Sequence, residues 1–175
     1  MSKIRVGPCL YEINGRNNME MKQFLIDMFK YNDWANRKIL EKINELPDKT
    51  QAIELFSHLI NSMRKWPARF DAYPQASAND WWKPVYPLEK LEEEWDKCLK
   101  LWLDLLEGKT EEEMFAEMKM VGDDGRHRVA QLKDIALQLN FHSIHHRANI
   151  QSIIRAQGLQ PDFLDYIGHH IRVMS

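Results

Sequence analysis

The chain has 175 residues, of which 44% are hydrophobic and 29% charged, and its formal net charge at pH 7 is −2. This length and composition predict a single domain with a sizeable core, and the charge gives no electrostatic case for nucleic acid or an acidic membrane. The two cysteines, Cys9 and Cys98, are far apart, which excludes a disulfide framework or thiolate metal cluster and favours a reducing, cytoplasmic location. No apolar run approaches the ~20 residues that cross a bilayer, so we expect no membrane association.

Residues 1–18 carry Gly, Pro and Asn without a sustained period. They predict an N-terminal arm, poorly ordered at least in part, with the compact domain at 19–175. The first strong helical pattern covers 20–46 and the second covers 50–70. Pro67 lies inside the second pattern and predicts a kink or an early end there.

The connection after the second helix is long, at 71–87, and it contains Trp81 and Trp82 among Pro, Ser and Asn. These tryptophans predict either a lid that packs onto the other helices or the border of a substrate pocket. A third helix is predicted at 88–107, and an extended segment with a tight turn follows at 118–125.

The fourth predicted helix, 131–157, carries the most informative pattern. Its apolar residues recur with the helical period, and the same spacing places His142 and His146 on the core-facing stripe, four residues apart. A buried polar group without a partner costs on the order of 1–3 kcal/mol, so something in the core must satisfy the two rings. Two interpretations stay open: each imidazole bonds to a neighbouring helix, or the pair binds a metal ion.

Periodicity gives a different interpretation of His58 on the second helix. At 100° per residue it projects about 120° from the mean direction of that helix's apolar stripe, so periodicity alone predicts a position on the flank. Cys98 lies on the stripe of the third helix, which predicts an inert core thiol. His127, beside the tight turn, is expected at the surface.

Four long amphipathic helices with one long crossover, between the second and third, predict an all-α, antiparallel four-helix bundle. The tail, 161–175, is expected to lie back over the bundle. Bundle cores hold metal sites built from facing helices, which agrees with the direction of His142 and His146.

Five segments together resemble the DinB-like (YfiT/DinB) superfamily of four-helix-bundle metalloproteins. The resemblance covers about 21–167, and the order and spacing of its pieces are specific. The segments are 31–36 (YNDWAN), 55–59 (LFSHL), 140–147 (NFHSIHHR), 157–159 (QGL) and 165–167 (DYI).

The resemblance implies that His58, His142 and His146 bind a divalent metal. Three histidines suit zinc, nickel, copper and iron alike, and we expect zinc or nickel ahead of iron or manganese. The resemblance thus assigns His58 a role that periodicity does not. His145, between the pair, is left as a supporting or structural residue, and His169 and His170 receive no role. The family usually continues His-Arg-Gly-Gln, whereas this chain has Ala148 and Asn149 after the arginine.

Three neutral imidazoles leave an open position on the ion, as in catalytic sites, where either water or a thiol could be activated. The resemblance favours the thiol, because relatives look like transferases or isomerases that use bacillithiol, mycothiol or glutathione. The expected function is therefore a metal-dependent thiol S-transferase acting on electrophiles with a low-molecular-weight thiol, such as bacillithiol. A metal-dependent hydrolase is the enzymatic alternative.

Another class of function stays open: a stress-associated metal-binding bundle without turnover, or an assembly module whose aromatic loop mediates dimerisation. The six tryptophans are compatible with a homodimer interface.

Other polar residues could support the histidine site. Four carboxylates are possible orienting groups for the histidine rings, and two arginines flank His142 and His146 as possible cofactor contacts or as solvated groups. The carboxylates are Asp33, Glu54, Asp134 and Asp165, and the arginines are Arg147 and Arg155.

Overall fold

The computed structural model describes residues 20–75 and 80–172, so the predicted arm at 1–18 lies outside the described residues. These residues include four long helices, one short helix and a single hairpin between the third and fourth long helices. This mainly helical structure confirms the all-α prediction. The elements are α1 (Met21–Glu45), α2 (Thr50–Asp71), α3 (Leu91–Glu107), β1 (Glu117–Val121), β2 (His127–Gln131), α4 (Leu132–Ala156) and α5 (Tyr166–His170).

The four long helices share one apolar core. Helix α1 packs against α3 and α4, and α2 packs against the same two helices. Buried aromatic pairs join the layers: Phe29 stacks on Trp102 at 5.5 Å between ring centroids, and Phe56 meets Trp95 at 5.9 Å. Because α2 and α4 are neighbours, side chains on their facing surfaces can form one site.

Helix α2 continues past Pro67 to Asp71, so the predicted early end is wrong. A proline has no N–H to donate to the carbonyl four residues earlier, which here is that of Met63. The indole N–H of Trp102 donates to this carbonyl at 2.7 Å. The buried oxygen is therefore satisfied by α3, and α2 can continue through the proline.

The segment after α2 runs back along that helix. The Lys65 side chain donates to the Lys83 carbonyl at 2.7 Å, the Asn61 amide donates to the Pro84 carbonyl at 2.9 Å, and the Tyr86 N–H donates to the Ser57 hydroxyl at 3.0 Å. These bonds follow one edge of α2 at four-residue intervals, and they bring Trp81 and Trp82 over the same edge.

A two-stranded antiparallel hairpin joins α3 to α4. Strand β1 pairs with β2 from Glu117 opposite Gln131 to Val121 opposite His127. The sequence predicted β1 and the turn but not β2, whose first three residues are exposed and show no apolar alternation. His127 is exposed, as predicted. Among the described residues, no helix combines the length and the apolar character needed to cross a membrane.

Candidate metal centre

Three histidine rings from two neighbouring helices converge on one point, and we call them the histidine triad. His58 comes from α2, and His142 and His146 come from α4, one turn apart. The Nε2 atom of His142 lies 3.1 Å from Nε2 of His58 and 3.0 Å from Nε2 of His146. The three rings meet edge to face, with centroids 4.4–4.9 Å apart.

The structure fixes which nitrogen of His58 faces the other two rings. Its Nδ1 lies 2.8 Å from the backbone carbonyl of Trp81. A carbonyl oxygen can only accept, so Nδ1 carries the proton and Nε2 of the neutral ring presents a lone pair. The Trp82 ring stacks on His58 at 4.0 Å between centroids, with the planes 16° apart, and holds the imidazole from its face.

The arrangement of the three nitrogens suits a cation. His58 offers only a lone pair toward His142. Without an ion, either one N–H on His142 would have to be shared between His58 and His146, or two lone pairs would face each other at about 3 Å. The triad's ligand atoms all lie within 4.8 Å of one another. Zinc–nitrogen bonds of about 2.0–2.1 Å place tetrahedral ligands about 3.3 Å apart, close to the spacing of the observed contacts. A divalent ion would accept all three lone pairs at once.

The triad is neutral at pH 7. Burial, with smaller effects of His58 and His145, lowers the pKa of His142 from 6.5 to about 4. Burial and the adjacent histidines likewise lower the pKa of His146 to about 4. Burial also lowers the pKa of His58, although its bond to the Trp81 carbonyl opposes that shift. Neutral imidazole is the form that binds metal.

His58 is buried, with 6% of its surface exposed, so its predicted flank position was wrong. Helix α2 is buried on all sides from Phe56 to Met63, and there the direction of a single apolar stripe does not decide burial. His145, by contrast, is exposed, with its ring 5.0 Å from that of His146. His169 packs against Trp34 at 5.2 Å and lies outside the triad.

A small network holds the Trp81 backbone in place. The Trp81 indole N–H donates to Asp123 in the hairpin turn at 3.1 Å, and the other carboxylate oxygen accepts from buried Arg69 near the end of α2. The Arg69 guanidinium also lies 4.8 Å from the centre of the Trp81 ring. We call Arg69, Trp81 and Asp123 the latch. It joins α2, the hairpin and the segment that carries the carbonyl bound to His58.

The four carboxylates proposed as orienting groups have other environments. Asp33 accepts from Trp95 and Arg37, and Asp134 pairs with Lys133. Glu54 and Asp165 are exposed. Within the described part of the chain, the orienting partner is instead the Trp81 carbonyl, which bonds to His58. A backbone group leaves no residue-type signal in the sequence.

Arg147 is buried, with 3% of its surface exposed, which corrects the expectation of a solvated side chain. Its guanidinium donates to the amide oxygens of Asn32 and Asn36 on α1 and to the hydroxyl of Tyr31. Burial lowers its pKa from the ordinary value of 12.5. In the sequence, Asn32 is a polar residue among the apolar positions of α1, and this is a signal from which the buried polar group around Arg147 could have been predicted. Arg155 is exposed.

A cavity of about 200 Å³ adjoins the triad. His58 and His142 form one part of its wall, and Ser62, Trp66, Trp81, Gln138 and Leu139 form the rest. Trp81 therefore borders a pocket, which was one of the two interpretations of the tryptophan pair. Trp82 covers His58 and is 49% exposed.

Cys98 is a buried core thiol, as predicted. Burial raises the pKa of this thiol to about 12, so it stays protonated and unreactive at pH 7.

Comparison with known proteins supports this architecture at the level of the family. Neither the curated proteins nor the solved structures returned a match to the chain. The model of the DinB family matches residues 19–172, which include all three triad histidines. The chain therefore belongs to the DinB family.

Proposed function

We propose that the protein is a metal-dependent thiol S-transferase, in which the triad binds a divalent ion and a low-molecular-weight thiol attacks a small electrophile. The observation that carries this proposal is the convergence of three neutral imidazoles beside a cavity large enough for a substrate. Zinc or nickel suits three nitrogen ligands, and iron or manganese are alternatives. When bound, the ion would supply Lewis acidity that favours the deprotonated form of a thiol.

The residues around the cavity favour a thiol over water as the nucleophile. None of the described side chains that line it is a carboxylate, so there is no evident general base beside the triad. Free thiols have pKa values near 8.5, whereas bulk water has a value of 15.7. A thiol therefore needs much less help to lose its proton, and this site offers little beyond the ion.

The chain's own residues would hold and shield the reacting groups. The Trp81 carbonyl keeps His58 in one tautomer, the Trp82 ring stacks on His58, and the Trp81 ring lines the cavity. In the reaction a carbon–sulfur bond forms, and the leaving group departs with the electrons of its bond to carbon. The proton of the thiol passes to solvent.

The proposal extends to the cellular compartment and to the oligomeric state. A small thiol stays reduced in a reducing compartment, so we place the protein in the cytoplasm. We also propose a homodimer, because Phe141 and Ile144 lie one turn apart on α4 with 57% and 39% of their surfaces exposed.

The test is consumption of 4-nitrobenzyl chloride with bacillithiol, cysteine or glutathione, using protein loaded in turn with each candidate metal. We expect metal- and thiol-dependent formation of the thioether, lost in His146→Ala and retained in His145→Ala, which removes an exposed histidine from the same helix. Turnover of a chromogenic ester without a thiol would contradict the proposal and favour a hydrolase. Stoichiometric metal without either activity would favour a non-catalytic metal-binding protein.

A further inference from the structure

Besides the two triad residues His58 and His142, the wall of the cavity carries aromatic and aliphatic side chains. Trp66 and Trp81 face it with ring centroids 6.2 Å apart and planes inclined by 53°, and Leu139 adds an aliphatic surface. Indole faces bury large apolar areas and stack with aromatic rings. This wall favours a flat, apolar molecule.

The volume limits the part of that molecule that lies inside the cavity. An apolar cavity of about 150 Å³ accommodates benzene, and the cavity here measures about 200 Å³. It therefore has room for one aromatic ring with one or two small substituents. A nucleotide, a peptide or a long acyl chain would not fit inside.

The charges near the cavity favour an uncharged ligand. No described lining residue is Asp, Glu, Lys or Arg. Two cations lie nearby, and both are engaged elsewhere. The Arg69 guanidinium pairs with Asp123 and is covered by Trp81, and Lys65, whose charge adds to the effect of burial in lowering the pKa of His58, donates to the Lys83 carbonyl. Ser62 and Gln138 are the uncharged hydrogen-bonding side chains on the wall, and they suit a single hydroxyl, carbonyl or nitro substituent.

We propose that this cavity binds the electrophile, and that the electrophile is an uncharged, singly ringed aromatic compound lying against Trp66 and Trp81 with its reactive carbon toward His142. This inference rests on the proposed function, since it names the substrate class of that reaction. The ligand class itself can be tested without a metal.

The experiment is titration of metal-free protein, kept in chelator, with benzyl alcohol, benzoate and benzylammonium, observed by saturation-transfer NMR. The three probes share one ring and differ in charge. We expect benzyl alcohol to bind at least tenfold more tightly than either ion. Equal binding of benzoate, or no preference among the three, would overturn the inference.

Two variants alter the cavity in different ways. Trp66→Ala removes an indole wall, and Gln138→Phe adds bulk at an exposed position on the cavity wall. We expect both to weaken benzyl alcohol binding at least tenfold. The matched control is Trp34→Ala, which removes a tryptophan from α1 away from the cavity and should leave binding unchanged. Unchanged binding in both cavity variants would contradict the proposed location.

His146→Ala separates this inference from the proposed function, because His146 does not line the cavity. We expect that variant to lose metal and keep benzyl alcohol binding. If wild-type protein binds benzyl alcohol but retains no metal, the proposed function fails and the ligand class stands. If it binds metal but no aromatic probe, the ligand class fails and the metal site stands.

Discussion

At the scale of single residues, the candidate site depends on imidazole rings that stay neutral inside the protein. The pKa of His142 and that of His146 are both about 4, well below the ordinary 6.5. Between pH 6.5 and about 4, the metal-free folded protein keeps these two rings neutral, whereas the same rings in the unfolded chain are protonated. Lowering the pH through this range therefore favours the unfolded state.

We predict that metal-free protein loses stability as the pH falls from about 6.5 to about 4. In that range the unfolded state binds more protons at these histidines, so the free energy of unfolding falls with the pH. Urea unfolding in chelator at pH 7, 6 and 5 measures the slope. The double variant His142→Gln/His146→Gln should show a shallower decline, and an unchanged slope would contradict the assignment.

Arg147 is the second residue whose environment departs from what its type suggests. It is a buried cation whose bonds go to neutral oxygens of Asn32, Asn36 and Tyr31. Burying a charge is costly unless its hydrogen bonds are made. Arg147 lies on α4 next to His146, and its three acceptors lie on α1. These hydrogen bonds therefore fix how the two helices meet.

We predict that Arg147→Met destabilises the fold by about 1–3 kcal/mol for each buried acceptor left without a donor. Chemical denaturation gives the free energy of unfolding. Arg155→Met is the matched control, because Arg155 lies two turns farther along α4 and is exposed. It should change stability by no more than about 0.5 kcal/mol. Similar effects of the two substitutions would contradict a structural role for Arg147.

At the scale of elements, the site requires α2, α4, the hairpin and the Trp81–Trp82 segment together. The α4 helix and its histidine pair follow from periodicity within one stretch of sequence. The burial of His58 does not, because its partner Trp81 lies 23 residues away and reaches it only after the chain has folded back along α2. Resemblance could place His58 in the triad, since a family pattern includes such non-local pairings.

The hairpin acts on the site through the latch. Asp123 binds both Arg69 and the Trp81 indole, and the Trp81 carbonyl sets the tautomer of His58. Outer partners of metal-binding histidines typically change metal affinity by 10–100-fold when they are removed. A surface turn is thus coupled to the candidate metal centre through two contacts.

We predict that Asp123→Ala weakens metal affinity by about tenfold and that Trp81→Phe, which removes the indole N–H but keeps an aromatic ring beside Arg69 and the backbone carbonyl, weakens it less. Competition with a chromogenic chelator measures the affinity. Asp124→Ala removes a carboxylate from the same turn, one that pairs with Arg128 instead, and should leave affinity unchanged. Equal losses in Asp123→Ala and Asp124→Ala would show a general effect on the turn.

At the scale of the whole molecule, the bundle buries most of its apolar side chains but leaves several on one helix and the tail uncovered. Phe141 and Ile144 on α4, and Phe163 and Ile167 in the C-terminal part, have 39–62% of their surfaces exposed. Trp95 and Trp102 are fully buried in the core, so these two tryptophans cannot serve the dimer interface that the composition suggested. The exposed residues of α4 are better candidates.

We predict that the 20.8 kDa chain forms a dimer, because pairing would cover Phe141 and Ile144. Light scattering during size exclusion gives the mass directly. Phe141→Lys should shift the protein toward the monomer, whereas Leu101→Lys, at a 42% exposed position on α3, should not. A wild-type protein that remains monomeric at tens of micromolar would contradict this proposal.

We propose that His58, His142 and His146 hold one divalent ion between α2 and α4. The most direct measurement is the metal content of protein purified without nickel resin, by mass spectrometry, in the wild type and in alanine variants at each of the three positions. We predict near-stoichiometric metal in the wild type and its loss in all three variants, with His145→Ala retaining it. A folded wild-type protein that carries no metal and cannot be loaded with zinc, nickel, iron or manganese would contradict this metal site.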